Sequence, residues 1–257
     1  MAAPHVTRRY GEPPLENGDN LTREEFHRRY EMHPEIKKAE LINGIVYMDA
    51  GIYTRGSKGD GIPPLENGDN LGFDEFNRRY EAHPEIKKAE LIEGVVYVAS
   101  PVRIETHGDQ DALMGAWLRM YQLRHPELQS ASNVTVKLRP DQPQPDALLR
   151  RRHGGTSHID DGYVVGPPEL VVEIAASSAS YDRHQKMRVY AAAGVREYIL
   201  WRVYDDEITW FELEDGEYRP LMPGPDGLVE SPTFPGLRLH IPKMPEGDLS
   251  AVVAALR

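Results

Sequence analysis

The chain has 257 residues, 40% of them hydrophobic and 28% charged, enough for a sizeable core in one or two domains. It contains no cysteine, which excludes disulfide staples, thiolate-bound zinc, iron–sulfur clusters and a catalytic thiolate. Its 30 basic and 41 acidic residues give a net charge of −11, so whole-molecule attraction to nucleic acid or an anionic membrane is disfavoured. The start, MAAPHVTRRYGEPP, has no apolar h-region, and no run approaches the roughly 18 apolar residues of a membrane span. The expectation is a soluble, cytoplasmic protein with no membrane partner.

The N-terminal hundred residues are dominated by a duplication. Residues 11–50 return at 61–100, fifty positions later, with 29 of 40 positions identical. There is no third copy, so this is a segment duplicated once and not a solenoid. The second copy runs directly into the rest of the chain and is expected to be the integral one. The first, residues 1–60 with the Gly-rich connector GIYTRGSKGD (51–60), is expected to be an appended duplicate. Residues 61–257 are then expected to form one unit.

Within copy 2, Leu71, Phe73, Phe76 and Tyr80 suit a short helix closed by Pro84. AELIEGVVYVAS reads as two strands joined at Glu93-Gly94. Leu113, Trp117, Met120 and Tyr121 fall on one face of a helix expected from about Thr106 to Leu123. NVTVKL (133–138) alternates as a strand, and PDALL (145–149) reads as another. ELVVEIAA (169–176) is apolar enough for a strand buried on both faces. A helix is expected over Asp182–Ala193, with Asp182 and Gln185 as a capping box and Gly194 at its end. VREYILWRV (195–203) and EITWFEL (207–213) flank a turn at Asp205-Asp206, and LSAVVAALR supplies a short terminal helix. The order defines an α/β fold with a mixed central sheet.

The informative residue is Glu173, inside LVVEIAA. An unpaired carboxylate in a buried strand costs several kcal/mol, so it calls for a metal, a lysine or a proton; a strand end facing solvent is the alternative. Asp146 alone reads as a turn residue after proline. Asp182 and Lys186 alone read as a surface i, i+4 pair. GIYTRGSK lacks the G-K-[ST] order of a phosphate loop, and the histidines form no HExxH.

Taken together, KKAELIEGVVYVASP, IETHGDQ, PQPDALL, PPELVVEIAASSASYDRHQKMRVYAAAGVREYILWRV and the FPGLRL run resemble the Uma2-type branch of the PD-(D/E)XK nuclease superfamily, over roughly 61–243. The resemblance implies a restriction-endonuclease-like mixed sheet flanked by helices, and Mg²⁺-dependent (or Mn²⁺-dependent) phosphodiester hydrolysis, with DNA as the expected substrate. It assigns Asp146 and Glu173 as metal-binding catalytic carboxylates and Glu90 as a third acidic ligand. The usual lysine two places after Glu173 is replaced by Ala175, and Lys186 on the following helix takes its part. His107 and Asp182 fall at supporting positions. Copy 1 offers Glu40 in place of Glu90, but Asp146, Glu173 and Lys186 occur once, so one chain holds one site. Copy 1 is expected to dock on the core's edge, or on a partner chain in a homodimer swapped through the duplicated segment. The alternative function is a catalytically silent binding or accessory protein of the same fold.

Overall fold

The computed structural model describes residues 13–36, 38–48, 62–98, 108–175 and 185–257. Each copy of the duplicated segment forms a helix and a hairpin. In the first these are α1 (Arg23–Met32), β1 (Ala39–Ile42) and β2 (Ile45–Met48). In the second they are α2 (Phe73–Ala82), β3 (Ala89–Ile92) and β4 (Val95–Val98). The β3–β4 turn carries Glu93 at φ 51° and Gly94 at φ 80°, the pair of positive angles that a two-residue hairpin loop needs.

The remaining elements build the main domain. They are α3 (Asp109–Gln122), β5 (Leu128–Ser132), β6 (Val136–Lys137), β7 (Ala147–Arg151), β8 (His158–Asp160), β9 (Tyr163–Val165) and β10 (Leu170–Ala175). After them come α4 (Met187–Ala193), β11 (Glu197–Arg202), β12 (Glu207–Glu214), β13 (Glu217–Pro220), β14 (Leu228–Glu230), β15 (Arg238–His240) and α5 (Leu249–Ala254). Six strands form the central sheet in the order β13-β12-β11-β10-β7-β5. Only β10 and β11 run parallel, joined through α4; the other neighbours are antiparallel, so the sheet is mixed.

Alternation along β10 divides the molecule into two layers. Leu170, Val172 and Ile174 face a core that includes Trp117, Leu118 and Tyr121 of α3 and Val252 of α5. Trp117 meets Trp210 of β12 edge-on at 5.7 Å, so the aromatic run of β11 and β12 serves packing. Val171 and Ala175 face the other way, onto Tyr190 of α4 and Val136 of β6. Glu173 shares that second face.

Several expectations need correcting. The buried stripe of α3 is Met114, Trp117, Leu118 and Tyr121, while Met120 is 38% exposed and Leu113 half-buried. The strand expected over 133–138 shrinks to Val136–Lys137, because Asn133 takes φ 53° and the chain reverses so that Val136 N–H donates to the Pro143 carbonyl. The connector 51–60 lies outside the described residues.

The two hairpins share the sequence AELI yet live in different surroundings. Copy 2 docks on the main domain. Leu91 and Gln142 exchange backbone hydrogen bonds, Asp141 accepts the Glu93 N–H at 2.6 Å, Arg188 clamps Glu93, and Ile92 and Tyr97 pack on Val189. Copy 1 buries Val46, Leu15, Leu21 and Phe26 in a small core of its own. Of Leu41, Ile42, Val46 and Tyr47 only Val46 is buried, and Ile42 is 51% exposed where Ile92 is 0%. Copy 1 leans on copy 2: Asn17 Nδ2 donates to Asn67 Oδ1 at 2.8 Å, and Asn67 Nδ2 donates to the Met48 carbonyl at 2.9 Å. Gly68, at φ +85°, lies against the Tyr47 ring, where a Cβ would come within 3.0 Å. Among the described residues no helix is long and apolar enough to cross a membrane.

Candidate functional site

The site forms on the α4 face of the sheet, where β10, β7 and the β3–β4 hairpin meet. Glu173 is 1% exposed and sits opposite Leu200 of β11 in the parallel ladder. One register step past the last β7–β10 pair, Ala147 with Val172, sets Asp146 opposite Glu173. Asp146 Oδ2 accepts the Ile174 N–H at 2.8 Å, which fixes that carboxylate against β10.

Two side chains one helical turn apart reach Glu173 from α4 and the residue before it. Lys186 Nζ is 3.0 Å from Glu173 Oε2, and the Tyr190 hydroxyl donates to Oε1 at 2.6 Å. Their i, i+4 spacing puts both on one face. Burial, reinforced by the Glu173 charge, pushes the Tyr190 pKa well above its usual value, so the phenol stays protonated and acts as a donor. Glu90 comes from β3. Its Oε1 takes Lys186 Nζ at 2.8 Å and the Gln144 N–H at 2.6 Å. Lys186 is therefore enclosed between two glutamates, with 2% of its side chain exposed.

Lys88 has the same side-chain direction as Glu90, two residues away on an extended segment. Its Nζ lies 3.4 Å from Asp146 Oδ1 and 3.3 Å from Asn133 Oδ1, with 27% of the side chain exposed. Burial presses its pKa down, but the carboxylates of Asp146, Glu90 and Glu173 outweigh that and hold it above the ordinary lysine value. The cluster thus has three carboxylates against two ammonium groups.

The structure brings together Asp146, Glu173, Glu90 and Lys186; His107 and Asp182 lie outside the described residues. Sequence reasoning missed Lys88, Tyr190 and Gln144. Two signals were available: the K-x-E alternation of Lys88 with Glu90, and the i, i+4 spacing of Lys186 with Tyr190. Gln144 gave none, since its contribution to Glu90 is a backbone N–H.

Magnesium binds through one or two carboxylates and completes its octahedron with water and phosphate oxygens. The facing pair Asp146 and Glu173 suits that requirement. Among the described residues no three His, Cys, Asp or Glu side chains group so as to hold a metal ion. Glu90, expected as the third acidic ligand, meets Lys186 and the Gln144 N–H.

A mixed sheet with this acidic and lysine cluster at its β7–β10 junction defines a restriction-endonuclease-like α/β protein. The family model Uma2, described as "Putative restriction endonuclease", matches residues 73–242, about two-thirds of the chain, and the chain belongs to that family. The match begins at α2, inside copy 2. Among solved structures the fold is similar to that of "a putative nuclease belonging to DUF820 from Anabaena variabilis ATCC 29413". That likeness has a TM-score of 0.55 at 16% identity and covers 69% of this chain and 98% of the other. No curated relative matches the sequence.

Proposed function

We propose that the chain is a metal-dependent nuclease that hydrolyses phosphodiester bonds of DNA in the cytoplasm, with residues 61–257 as the nuclease unit and 1–60 as an appended duplicate. The observation that supports this best is the buried Lys186 between Glu173 and Glu90, on the sheet face that also carries Asp146, in a member of the Uma2 family. Asp146 and Glu173 would hold Mg²⁺ or Mn²⁺, which lowers the pKa of a bound water and shields the phosphate charge. The protein's own groups prepare that pair. The Ile174 N–H orients Asp146, and the Tyr190 hydroxyl and Lys186 orient Glu173. Lys186 also relieves the repulsion between neighbouring carboxylates, which would otherwise favour their protonation. Because the chain is acidic overall, contact with the DNA backbone rests on local cations and is expected to weaken steeply with salt.

Cleavage of supercoiled plasmid with Mg²⁺ or Mn²⁺ tests this reading. Asp146→Asn and Glu173→Gln are expected to abolish cleavage while circular dichroism stays that of the wild type. Two variants that cut as fast as wild type would refute it. The enclosure of Glu173 by Tyr190 and Lys186 favours a second reading, a silent nuclease-fold binding protein; wild type that binds DNA and cuts it with neither metal would select that one.

A further inference from the structure

The two lysines of the site differ in kind. Lys186 contacts two carboxylates at 2.8 and 3.0 Å and is closed off from solvent. An ammonium so placed balances charge, but a phosphate could reach it only by displacing a glutamate. Lys88 is held by two contacts of 3.3 and 3.4 Å, near the outer limit of a hydrogen bond, one of them to the neutral Asn133 carbonyl. Its side chain is the more exposed of the two, at 27% against 2%. It stands beside Asp146, the carboxylate that the nuclease reading places on the metal. An ammonium carries three donors on a flexible stem, so one can turn to an incoming anion without giving up both neighbours.

We propose that Lys88 is the catalytic cation that contacts the phosphate being cleaved, and that Lys186 is a positioning residue for Glu173 and Glu90. The proposal rests on the nuclease reading above and adds a residue that the family resemblance did not assign. It also explains how an acidic chain admits a polyanion. The cation that meets the substrate rides on the hairpin of copy 2, so the segment that closes the site is also the one that supplies its contact with the backbone.

The test compares wild type, Lys88→Met and Lys88→Arg in metal-dependent cleavage of double-stranded DNA over a series of salt concentrations. Lys88→Met is expected to lower kcat/KM on the order of a hundredfold to a thousandfold, the range for loss of one transition-state donor. It should also flatten the plot of log kcat/KM against log salt by about 0.9, the value of one lost phosphate contact. Lys88→Arg should regain the slope and much of the rate. A Lys88→Met enzyme with wild-type kinetics overturns the proposal, and so does one that is slower but keeps the wild-type slope, since that would leave Lys88 as no more than a neighbour of Asp146. If Lys88→Met does not fold, Lys88→Gln takes its place in the same comparison. Wild type that cuts no DNA with either metal removes the nuclease reading and the role of Lys88 together, a failure seen in the wild type itself and so distinct from the others.

Discussion

Replacing Lys186 by methionine keeps most of the side-chain volume and removes the charge with its N–H donors. The lysine is 2% exposed and lies 2.8 Å from Glu90 and 3.0 Å from Glu173, which are themselves 4% and 1% exposed at the side chain. Its loss therefore leaves two buried carboxylates facing one another, with the Tyr190 hydroxyl still donating to Glu173 and the Gln144 N–H to Glu90. Breaking a buried ion pair from one side costs about 3–5 kcal/mol. For a chain of this size that corresponds to a fall in Tm of roughly 6–20 °C. Trp117, Trp201 and Trp210 are all buried in the main core, so tryptophan fluorescence during heating or urea unfolding reports the loss directly. The double variant Lys186→Met/Glu90→Gln should be less destabilised than the two single effects added together, by about 0.5–3 kcal/mol. A single variant within about 2 °C of wild type, or strict additivity in the cycle, would refute the view of Lys186 as the charge that holds the carboxylates in place.

Other outcomes follow from the unequal surroundings of the copies and from a buried histidine. Ile92→Ala should cost about 2–4 kcal/mol by urea unfolding, whereas Ile42→Ala, at the matching position of copy 1, should stay within about 0.5 kcal/mol; equal costs would mean both hairpins are docked alike. The pKa of His83 is raised above 6.5 by the Ile62 carbonyl and then by Glu85, so its contribution to stability is complete below pH 6.5 and disappears as the pH climbs through the raised value. His83→Gln should flatten the stability profile in that window, and an unchanged profile would count against a protonated His83.

The parts of the fold that the sequence announces are those in which a local rule and the tertiary role coincide. The apolar run around Glu173 marks a fully buried strand, Glu93-Gly94 marks a hairpin turn, and Gly194, at φ 85°, ends α4 where a left-handed residue is needed. The strand expected over 133–138 fails because alternation says nothing about the backbone reversal that follows. In α3 the periodicity holds, but Met120 and Met114 compete for the apolar stripe, and only the position of the sheet settles which is buried. The site divides in the same way. Glu173 betrays itself because a carboxylate in an apolar strand must be answered, and Lys186 is its answer. Lys88 looks like any surface lysine in a charged run, and its significance comes from Asp146, 58 residues away, which no local pattern reports.

The duplicated hairpins give the molecule an internal reference for measuring what docking contributes. Intrinsic amide hydrogen exchange depends mainly on the residue and its immediate neighbours, and KKAELI occurs in both copies with the same order. Any difference in exchange between Leu41 and Leu91, or between Ile42 and Ile92, then reflects surroundings alone. The Leu91 N–H donates to Gln142 of the main domain and Ile92 is buried under α4, while Ile42 is half open to water. Opening free energies range from near zero for loosely held segments to the global value for core elements. The separation between the two exchange curves, read within one sample and one spectrum, is thus a direct free-energy difference between the surroundings of the two hairpins, with the chemistry of the peptide bond cancelled out.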